Sequence, residues 1–204
     1  MKIIAIGWNY IEHNKELCHN LLPHEPVIFM KPDTALLRRN NPFFLPDFSN
    51  DVQYETEVIL RICKKGKNIA EKFAHRYYDA VGLGIDFTAR DLQRKFKAEG
   101  SPWELCKGFD HSAPISEFVP KENFTDLNNL SFSLQINGKT VQQGNTRDMI
   151  LKIDELLVYI SRFFTLKTGD IIFTGTPAGV GAVNIGDHLV ASLEGEKMLD
   201  FHVC

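Results

Sequence analysis

The amino-acid sequence predicts a mainly β fold with a few packed helices, of the α+β class. Short runs rich in β-branched and apolar residues recur along the chain, and they outnumber the segments with helical spacing. Few strand–helix–strand units are visible, which favours the same class. The length of 204 residues suits a single domain, residues 1–204, and 44% hydrophobic residues supply its core.

The first half of the chain contains three predicted strands. An apolar run at residues 1–7 predicts the first, and it is too short for a signal peptide. Residues 8–22 are polar and partly helical in pattern, and a short apolar strand is predicted at residues 27–30. Two prolines indicate that residues 33–51 are mostly loop. β-branched residues predict the third strand at residues 53–63.

Two helices are predicted, one before and one after the middle of the chain. Residues 86–100 begin as a strand and continue as a helix, with Thr88 as the predicted N-cap and Gly100 just beyond the end. Apolar residues recur at helical spacing over residues 153–164, which predicts an amphipathic helix.

The remaining elements are predicted strands. Residues 132–136 alternate apolar and polar side chains and lead into Asn137-Gly138, a pair typical of a β-hairpin turn. Two further strands are predicted at residues 170–174 and 187–193.

Composition and charge exclude several classes of protein. The net charge is −3 and the charges alternate in sign, so nothing indicates a nucleic-acid partner. No segment approaches the ~20 apolar residues that span a bilayer, so no membrane partner is expected. The four cysteines are far apart in the sequence, which favours reduced thiols in the cytoplasm over disulfides or a zinc site.

Three carboxylates are candidate metal ligands. Glu55 and Glu57 are separated by one residue on a predicted strand, so their side chains share a face, and Asp86 ends a second apolar run. Two like charges about 4 Å apart repel by about 4 kcal/mol at an effective dielectric constant of about 20, which favours a bound cation. Oxygen ligands indicate Mg²⁺, Mn²⁺ or Ca²⁺ rather than zinc or copper. The alternative is a charged edge strand that discourages aggregation.

Three further features carry candidate chemistry, each with a plainer alternative. Lys107 lies between apolar residues. Either it supplies positive charge beside a developing enolate, or it is a solvated charge on the surface. His13 and Glu16, three residues apart, are a general base with its orienting carboxylate or an exposed ion pair. The glycine-rich segment 174–181 lacks the lysine of a Walker loop. Either its backbone N–H groups and threonines bind a small carboxylate, or the segment is simply a turn.

Taken in chain order, seven motifs resemble those of the fumarylacetoacetate hydrolase family, in its acylpyruvase and oxaloacetate decarboxylase branch. The resemblance spans nearly the whole chain. The motifs are Gly7-x-Asn9-Tyr10-x-x-His13-x-x-Glu16, Phe29-x-Lys31-Pro32, Glu55-x-Glu57, Asp86-x-Thr88-x-Arg90-Asp91-x-Gln93, Lys107 with Pro114, Asn137-Gly138, and the run from Gly169-Asp170-Ile171-Ile172 through Thr174-Gly175-Thr176-Pro177 to Gly179-Val180-Gly181.

The resemblance implies a fold and a set of site residues. The fold is a mixed β-sandwich roll, assembled as a homodimer. The implied ligands of Mg²⁺ or Mn²⁺ are Glu55, Glu57 and Asp86, with Lys107 beside the enolate. The implied substrate contacts are Lys31, Arg90, Gln93 and Thr176. Residues 11–24 would form a mobile lid that brings His13 and Glu16 over the ligand.

The activity that the resemblance implies is metal-dependent cleavage of a C–C bond in a small 2-oxo acid. Either an acylpyruvate is hydrolysed or oxaloacetate is decarboxylated, through a metal-stabilised enolate. One alternative is an isomerase or hydratase of a 2-hydroxymuconate-type intermediate, and another is a non-catalytic protein that the metal merely stabilises. Trp8 departs from the branch, which has Arg there, so recognition of a second substrate carboxylate is in question.

Overall fold

The computed structural model describes residues 1–16 and 26–204, and strands dominate them. The strands are β1 (Ile3–Gly7), β2 (Val27–Lys31), β3 (Leu36–Leu37), β4 (Val52–Tyr54), β5 (Thr56–Ile62), β6 (Tyr78–Ile85), β7 (Thr88–Ala89), β8 (Ala113–Pro114), β9 (Val119–Pro120), β10 (Ser131–Ile136), β11 (Lys139–Asn145), β12 (Ile171–Phe173), β13 (Gly181–Ala182), β14 (His188–Leu193) and β15 (Glu196–His202). The α-helices are α1 (Ile11–Glu16), α2 (Arg90–Glu99), α3 (Glu104–Lys107) and α4 (Ile153–Phe163). Short 3₁₀ helices cover Asp33–Ala35, Glu71–Arg76, Lys121–Asn123, Leu127–Asn129 and Thr146–Asp148. The predicted mainly β fold with a few helices is confirmed.

Two larger sheets organise the chain. The first has six strands in the order β2-β1-β12-β5-β6-β9, in which β1 and β12 run parallel and the other neighbours antiparallel. The second has four antiparallel strands in the order β11-β10-β14-β15. Two small sheets, β13-β4-β7 and β3-β8, complete the fold.

The six-stranded sheet is buried on both faces. Alternate side chains of β1 and β5 belong to different apolar clusters: Ile4 and Leu60 join the main core, while Ile3 and Ile59 join a smaller cluster on the opposite face. This is why these strands read as continuous apolar runs rather than as alternating ones. The main core also includes residues of the four-stranded sheet and of α4.

Helix α2 begins one residue later than its sequence indicates. Thr88 is not the N-cap, so that prediction is wrong, because Thr88 pairs with Gln53 across β7 and β4. Its hydroxyl donates to the carbonyl oxygen of Asp86 at 3.3 Å. The residue before the helix is Ala89, which provides no side-chain cap. The end of the helix agrees with prediction, since Gly100 adopts the left-handed conformation with φ of 70°.

The remaining predicted elements in the described part of the chain agree with the structure, with one interruption. The hairpin between β10 and β11 turns at Asn137 and Gly138, which both have positive φ. The strand predicted at residues 53–63 is split into β4 and β5, and the residue between them is Glu55. The described residues contain no helix long and apolar enough to cross a membrane. Of the predicted lid, residues 17–24 lie outside the described part of the chain.

Asn9 ties the N-terminal segment to two distant parts of the chain. Its side-chain nitrogen donates to the carbonyl oxygens of Thr174 at 2.9 Å and Leu151 at 3.1 Å. Its side-chain oxygen accepts from the backbone N–H of Leu151 at 2.8 Å. Asn9 is 1% exposed, so water cannot replace these bonds if the amide is removed.

We expect Asn9→Ala to lower the free energy of unfolding by about 2–4 kcal/mol, because it leaves buried backbone groups without partners. Urea denaturation of the variant and of the wild type measures the difference. The matched control is Asn128→Ala at an exposed site, where a change within about 0.5 kcal/mol is expected. An equal effect of the two substitutions would contradict the role given to Asn9.

Candidate metal centre and active site

The pairing of β5 with β6 brings the three predicted carboxylates together. The strands are antiparallel, with Thr56 opposite Ile85. Glu55, which directly precedes β5, therefore lies beside Asp86, which directly follows β6. The backbone N–H of Asp86 donates to the carbonyl oxygen of Glu55 at 2.8 Å. Carboxylate oxygens of Glu55, Glu57 and Asp86 all lie within 4.8 Å of one another, and all three residues are buried.

Three cationic side chains surround these carboxylates. The Lys107 Nζ lies 2.8 Å from Glu55 Oε2 and 2.7 Å from Asp86 Oδ2. Lys31 Nζ is 2.7 Å from Asp86 Oδ1, and an Arg90 terminal nitrogen is 2.5 Å from Glu55 Oε1. All of these side chains are at most 7% exposed. The formal charges of three carboxylates and three cations therefore cancel inside the protein.

The position of each carboxylate among these charges sets its pKa. Burial raises the pKa of Glu55, but Lys107 and Arg90 outweigh burial and hold the pKa well below its usual range. Glu57 has the opposite balance. Burial, followed by the charges of Asp86 and Glu55, raises the pKa of Glu57 well above its usual range. Glu57 is thus the carboxylate that most needs further positive charge to stay ionised.

This set of donors fits a hard divalent cation. Asp86 Oδ1 is buried and accepts no well-aligned hydrogen bond from the described residues, although the Lys31 ammonium lies close to it. Carboxylate oxygens are the ligands that Mg²⁺ and Mn²⁺ prefer.

The glycine-rich segment binds carboxylates, but they are the protein's own. The Gly175 N–H donates to Glu57 Oε2 at 2.7 Å, and the Gly179 N–H donates to the Glu16 carboxylate at 3.0 and 3.2 Å. Both glycines have φ near +100°, which other residues rarely adopt. A Cβ on Gly175 would also lie 2.9 Å from the Cβ of Asn9.

All four predicted substrate contacts are engaged with protein groups. The guanidinium of Arg90 donates to Gln53, Gln93 and Glu55. Lys31 and Thr176 are bonded in the same way. The Lys31 ammonium donates to Ser112 and to the carbonyl oxygens of Phe87 and Lys107. The Thr176 hydroxyl donates to the carbonyl oxygen of Thr56 at 2.9 Å and accepts from a Gln142 amide at 2.7 Å. Both side chains support the strands that carry the carboxylates, and their contact with substrate stays a prediction.

His13 and Glu16 form the pair that the sequence suggests. His13 Nδ1 lies 3.3 Å from Glu16 Oε2 on α1, and His13 is only 5% exposed. Burial lowers the pKa of His13, against the smaller upward effect of Glu55, so the imidazole is neutral at pH 7. With Nδ1–H assigned to Glu16, Nε2 is the basic nitrogen.

A small cavity of about 20 Å³, roughly the size of one water molecule, connects these groups. Its lining includes Glu55, Lys107, His13, Arg90 and Gln93, which the sequence predicts, and also Trp8, Phe29, Lys97 and Trp103. Sequence reasoning missed Lys97 and Trp103 as site residues. A signal for Lys97 existed, because positions 90, 93 and 97 share one face of a helix.

Known proteins resemble this chain over nearly its whole length. The fumarylacetoacetate (FAA) hydrolase C-terminal family matches residues 2–203. An oxaloacetate tautomerase of Escherichia coli K12, YcgM, is 41% identical over 97% of this chain and 90% of its own length. A mitochondrial oxaloacetate decarboxylase of Dictyostelium discoideum is 42% identical over 95% of this chain and 89% of its own length.

A solved structure extends the likeness to the fold. The fumarylpyruvate hydrolase of Pseudomonas aeruginosa, in complex with Mn²⁺ and pyruvate, superposes with a TM-score of 0.93 and 33% identity. The match covers all of this chain and 89% of the other. The motifs, the fold and these relatives agree with one another, and the chain belongs to the fumarylacetoacetate hydrolase family of enzymes.

Proposed function

We propose that this protein is a Mg²⁺- or Mn²⁺-dependent enzyme that cleaves a C–C bond of a small 2-oxo acid through an enolate. The substrates are oxaloacetate, which is decarboxylated, and acylpyruvates, which are hydrolysed. The observation that carries the proposal is the Lys107 ammonium, which lies between two of three clustered carboxylates. An ammonium among the ligands repels a bound metal, so a site that held a metal only for stability would bind it more tightly without Lys107.

The chemistry requires stabilisation of negative charge at the 2-oxo group. Glu55, Glu57 and Asp86 would hold the divalent cation, which acts as a Lewis acid when bound. The Lys107 ammonium supplies a hydrogen-bond donor and positive charge where the enolate oxygen develops. Arg90 and Gln93 share the cavity wall and would orient the substrate carboxylate.

The charges of the site favour an anionic substrate. The six buried ionisable groups cancel, so a divalent cation leaves the site with two net positive charges. A 2-oxo acid with one or two carboxylates neutralises that excess inside a poorly solvated cavity, where unpaired charge is costly.

Hydrolysis and decarboxylation differ in their need for a base. In hydrolysis, His13 takes a proton from water, and the oxygen adds to the distal carbonyl carbon of the acylpyruvate. The C–C bond then breaks, its electron pair forms the pyruvate enolate, and protonation of the enolate gives pyruvate and a carboxylic acid. Loss of CO₂ from oxaloacetate gives the same enolate without an attacking water.

A second candidate activity is keto–enol tautomerisation of oxaloacetate. The observation that favours it is the 41% identity to the oxaloacetate tautomerase of E. coli. The reaction moves a proton between carbon and oxygen through the same enolate, so the same cation and Lys107 serve it. Here His13 or a water held beside it carries the proton.

The deciding experiment measures pyruvate release from acetylpyruvate and from oxaloacetate, with Mg²⁺, with Mn²⁺ and with EDTA. We expect metal-dependent release from at least one substrate. Decay of oxaloacetate enol absorbance is followed in the same samples. Fast enol decay without pyruvate release would replace C–C cleavage by tautomerisation, and inactivity in all three assays would reject the proposal.

We expect Mg²⁺ or Mn²⁺ to raise the melting temperature by about 5–10 °C at 100 times the dissociation constant, because the cation binds only the folded site. Glu57→Gln should abolish the shift. The amide resembles the neutral carboxyl that the raised pKa of Glu57 favours, so the fold itself should tolerate it.

Differential scanning fluorimetry measures these shifts, with Glu122→Gln at an exposed site as the matched control. The control should shift as the wild type does. A full metal shift in Glu57→Gln would mean that the ion binds elsewhere.

We expect His13→Gln to lower kcat/KM for acetylpyruvate hydrolysis by about 100-fold or more, and that for oxaloacetate decarboxylation by less than ~5-fold. Because burial lowers the pKa of His13, the wild-type hydrolysis rate should fall on the acid side only below about pH 6.5. Steady-state kinetics across pH measure both effects.

The control for this experiment is Glu12→Gln, an exposed change on the same helix. It should leave both reactions within ~2-fold of the wild type. Equal losses of the two activities in His13→Gln would show that His13 does not act as the hydrolytic base.

We also propose that the enzyme is a cytoplasmic homodimer. A surface groove of about 760 Å³ beside α3 is lined by apolar side chains that include Phe48, Leu105 and Phe109, with Leu105 68% exposed. None of the three carboxylates lines this groove.

Cys63, Cys106 and Cys204 are free thiols, which supports a reducing compartment.

A further inference from the structure

A buried glutamine, Gln142 on β11, joins the four-stranded sheet to the candidate metal centre. It is 2% exposed, whereas the next residue, Gln143, is exposed. In the pairing of β11 with β10 it stands opposite Leu134, so the two side chains share the face that adjoins the main core. A buried amide is costly unless protein groups replace its hydrogen bonds to water. The partners of Gln142 therefore account for its burial.

Three hydrogen bonds satisfy this amide and fix its orientation. Gln142 Oε1 accepts from the backbone N–H of Thr56 at 3.0 Å. Gln142 Nε2 donates to the hydroxyl of Thr176 at 2.7 Å and to the carbonyl oxygen of Pro177 at 2.9 Å. Turning the amide over would place an N–H group against the N–H of Thr56 and an oxygen against the carbonyl of Pro177, so only this orientation fits.

The bonds close a hydrogen-bond ring around the backbone between two candidate metal ligands. The Thr176 hydroxyl, which accepts from Gln142, donates to the carbonyl oxygen of Thr56 at 2.9 Å. Gln142 and Thr176 thus hold both the N–H and the carbonyl group of Thr56. These two groups belong to the peptide units that join Thr56 to Glu55 and to Glu57. The ring therefore fixes the backbone from which both carboxylates project.

The same ring holds the glycine-rich loop. Gln142 binds the loop at Thr176 and Pro177, and the preceding residue, Gly175, donates its N–H to Glu57 Oε2 at 2.7 Å. The carboxylate of Glu57 is therefore positioned twice, through its own backbone and through the loop. Gln142 is the side chain that connects the two supports.

A β-bulge brings Gln142 to this place. The register between β10 and β11 shifts next to Gln142 and leaves Val141 as the extra residue. Without the bulge, position 141 rather than position 142 would stand opposite Leu134. A Cβ on Gly179 would lie 2.9 Å from the carbonyl oxygen of Val141, so the glycine-rich loop also packs directly against the bulge.

We propose that Gln142 is a positioning residue, which locks the glycine-rich loop to residues 55–57 and so keeps the carboxylates in the geometry that binds a divalent cation. The proposal rests on the metal-dependent activity proposed above. Gln142 does not line the cavity, so it acts through Thr56 and the loop. Its amide is neutral, and it therefore supports the ligands without disturbing the balance of three carboxylates and three cations.

The test is the dissociation constant of Mn²⁺, measured without substrate by titrating the protein well below its melting temperature and following free Mn²⁺ by EPR. Gln142→Met keeps the approximate size of the side chain and removes all three hydrogen bonds. It should raise the dissociation constant about 10- to 100-fold, as the loss of a group that orients metal ligands commonly does. A substitution that only lowered stability would leave the affinity of the folded protein for Mn²⁺ unchanged.

A second variant breaks the same ring at another member. Thr176→Val is nearly isosteric and removes the hydroxyl that links Gln142 to Thr56, and it should raise the dissociation constant about 10-fold. The double variant should show less than the product of the two separate effects, because either change opens the ring. The matched control is Gln143→Met, the neighbouring exposed glutamine, which should stay within ~2-fold of the wild type.

Excess metal gives an independent readout. Saturating Mn²⁺ should restore oxaloacetate decarboxylation by Gln142→Met to within ~5-fold of the wild type, because the variant lacks affinity for the cation rather than a reacting group. A loss of activity of 100-fold or more that saturating Mn²⁺ does not reverse would contradict the role given to Gln142.

The remaining outcomes separate this inference from the proposed function. An unchanged dissociation constant in folded Gln142→Met would overturn the inference and leave the proposed function intact, since that function is tested on the wild type. If Gln142→Met does not fold, Thr176→Val decides, and a value within ~2-fold of the wild type would overturn the inference. If the wild type binds no Mn²⁺, the proposed metal site fails and takes this inference with it.

Discussion

The structure depends on the placement of three carboxylates in a region that water does not reach. Mutual repulsion of buried like charges would unfold or neutralise such a cluster unless cations approach it closely. Lys31, Arg90 and Lys107 provide those cations, and each comes from a different segment of the chain. Strand β2 and helices α2 and α3 are therefore tied to β5 and β6 by the same charges that prepare the site for a metal.

Local patterns predict the parts of this arrangement that local forces control. The two-residue spacing of Glu55 and Glu57 places both side chains on one face, whatever the rest of the fold does. The hairpin at Asn137 and the end of α2 at Gly100 follow from backbone conformations that few residues adopt. These features need no knowledge of distant residues, and the structure agrees with each of them.

Long-range contacts account for what the sequence does not reveal. Thr88 has the chemistry of an N-cap, but pairing with Gln53 holds it in a strand. Helical spacing groups Lys97, but not Lys95, with Arg90 and Gln93, and only the packing of α2 shows that this face borders the cavity. In both cases tertiary structure selects one of several locally acceptable roles, and the local pattern alone does not settle the choice.

The glycine-rich segment shows how one loop can control two parts of a reaction. Its Gly175 N–H fixes Glu57, a candidate metal ligand, and its Gly179 N–H fixes Glu16, the partner of the candidate base. Three residues lie between these donors, and one of them, Pro177, restricts the backbone. A shift of the loop that released Glu16 would therefore also disturb Glu57. The positions of the candidate base and of the candidate metal ligands are therefore coupled through the backbone of one loop.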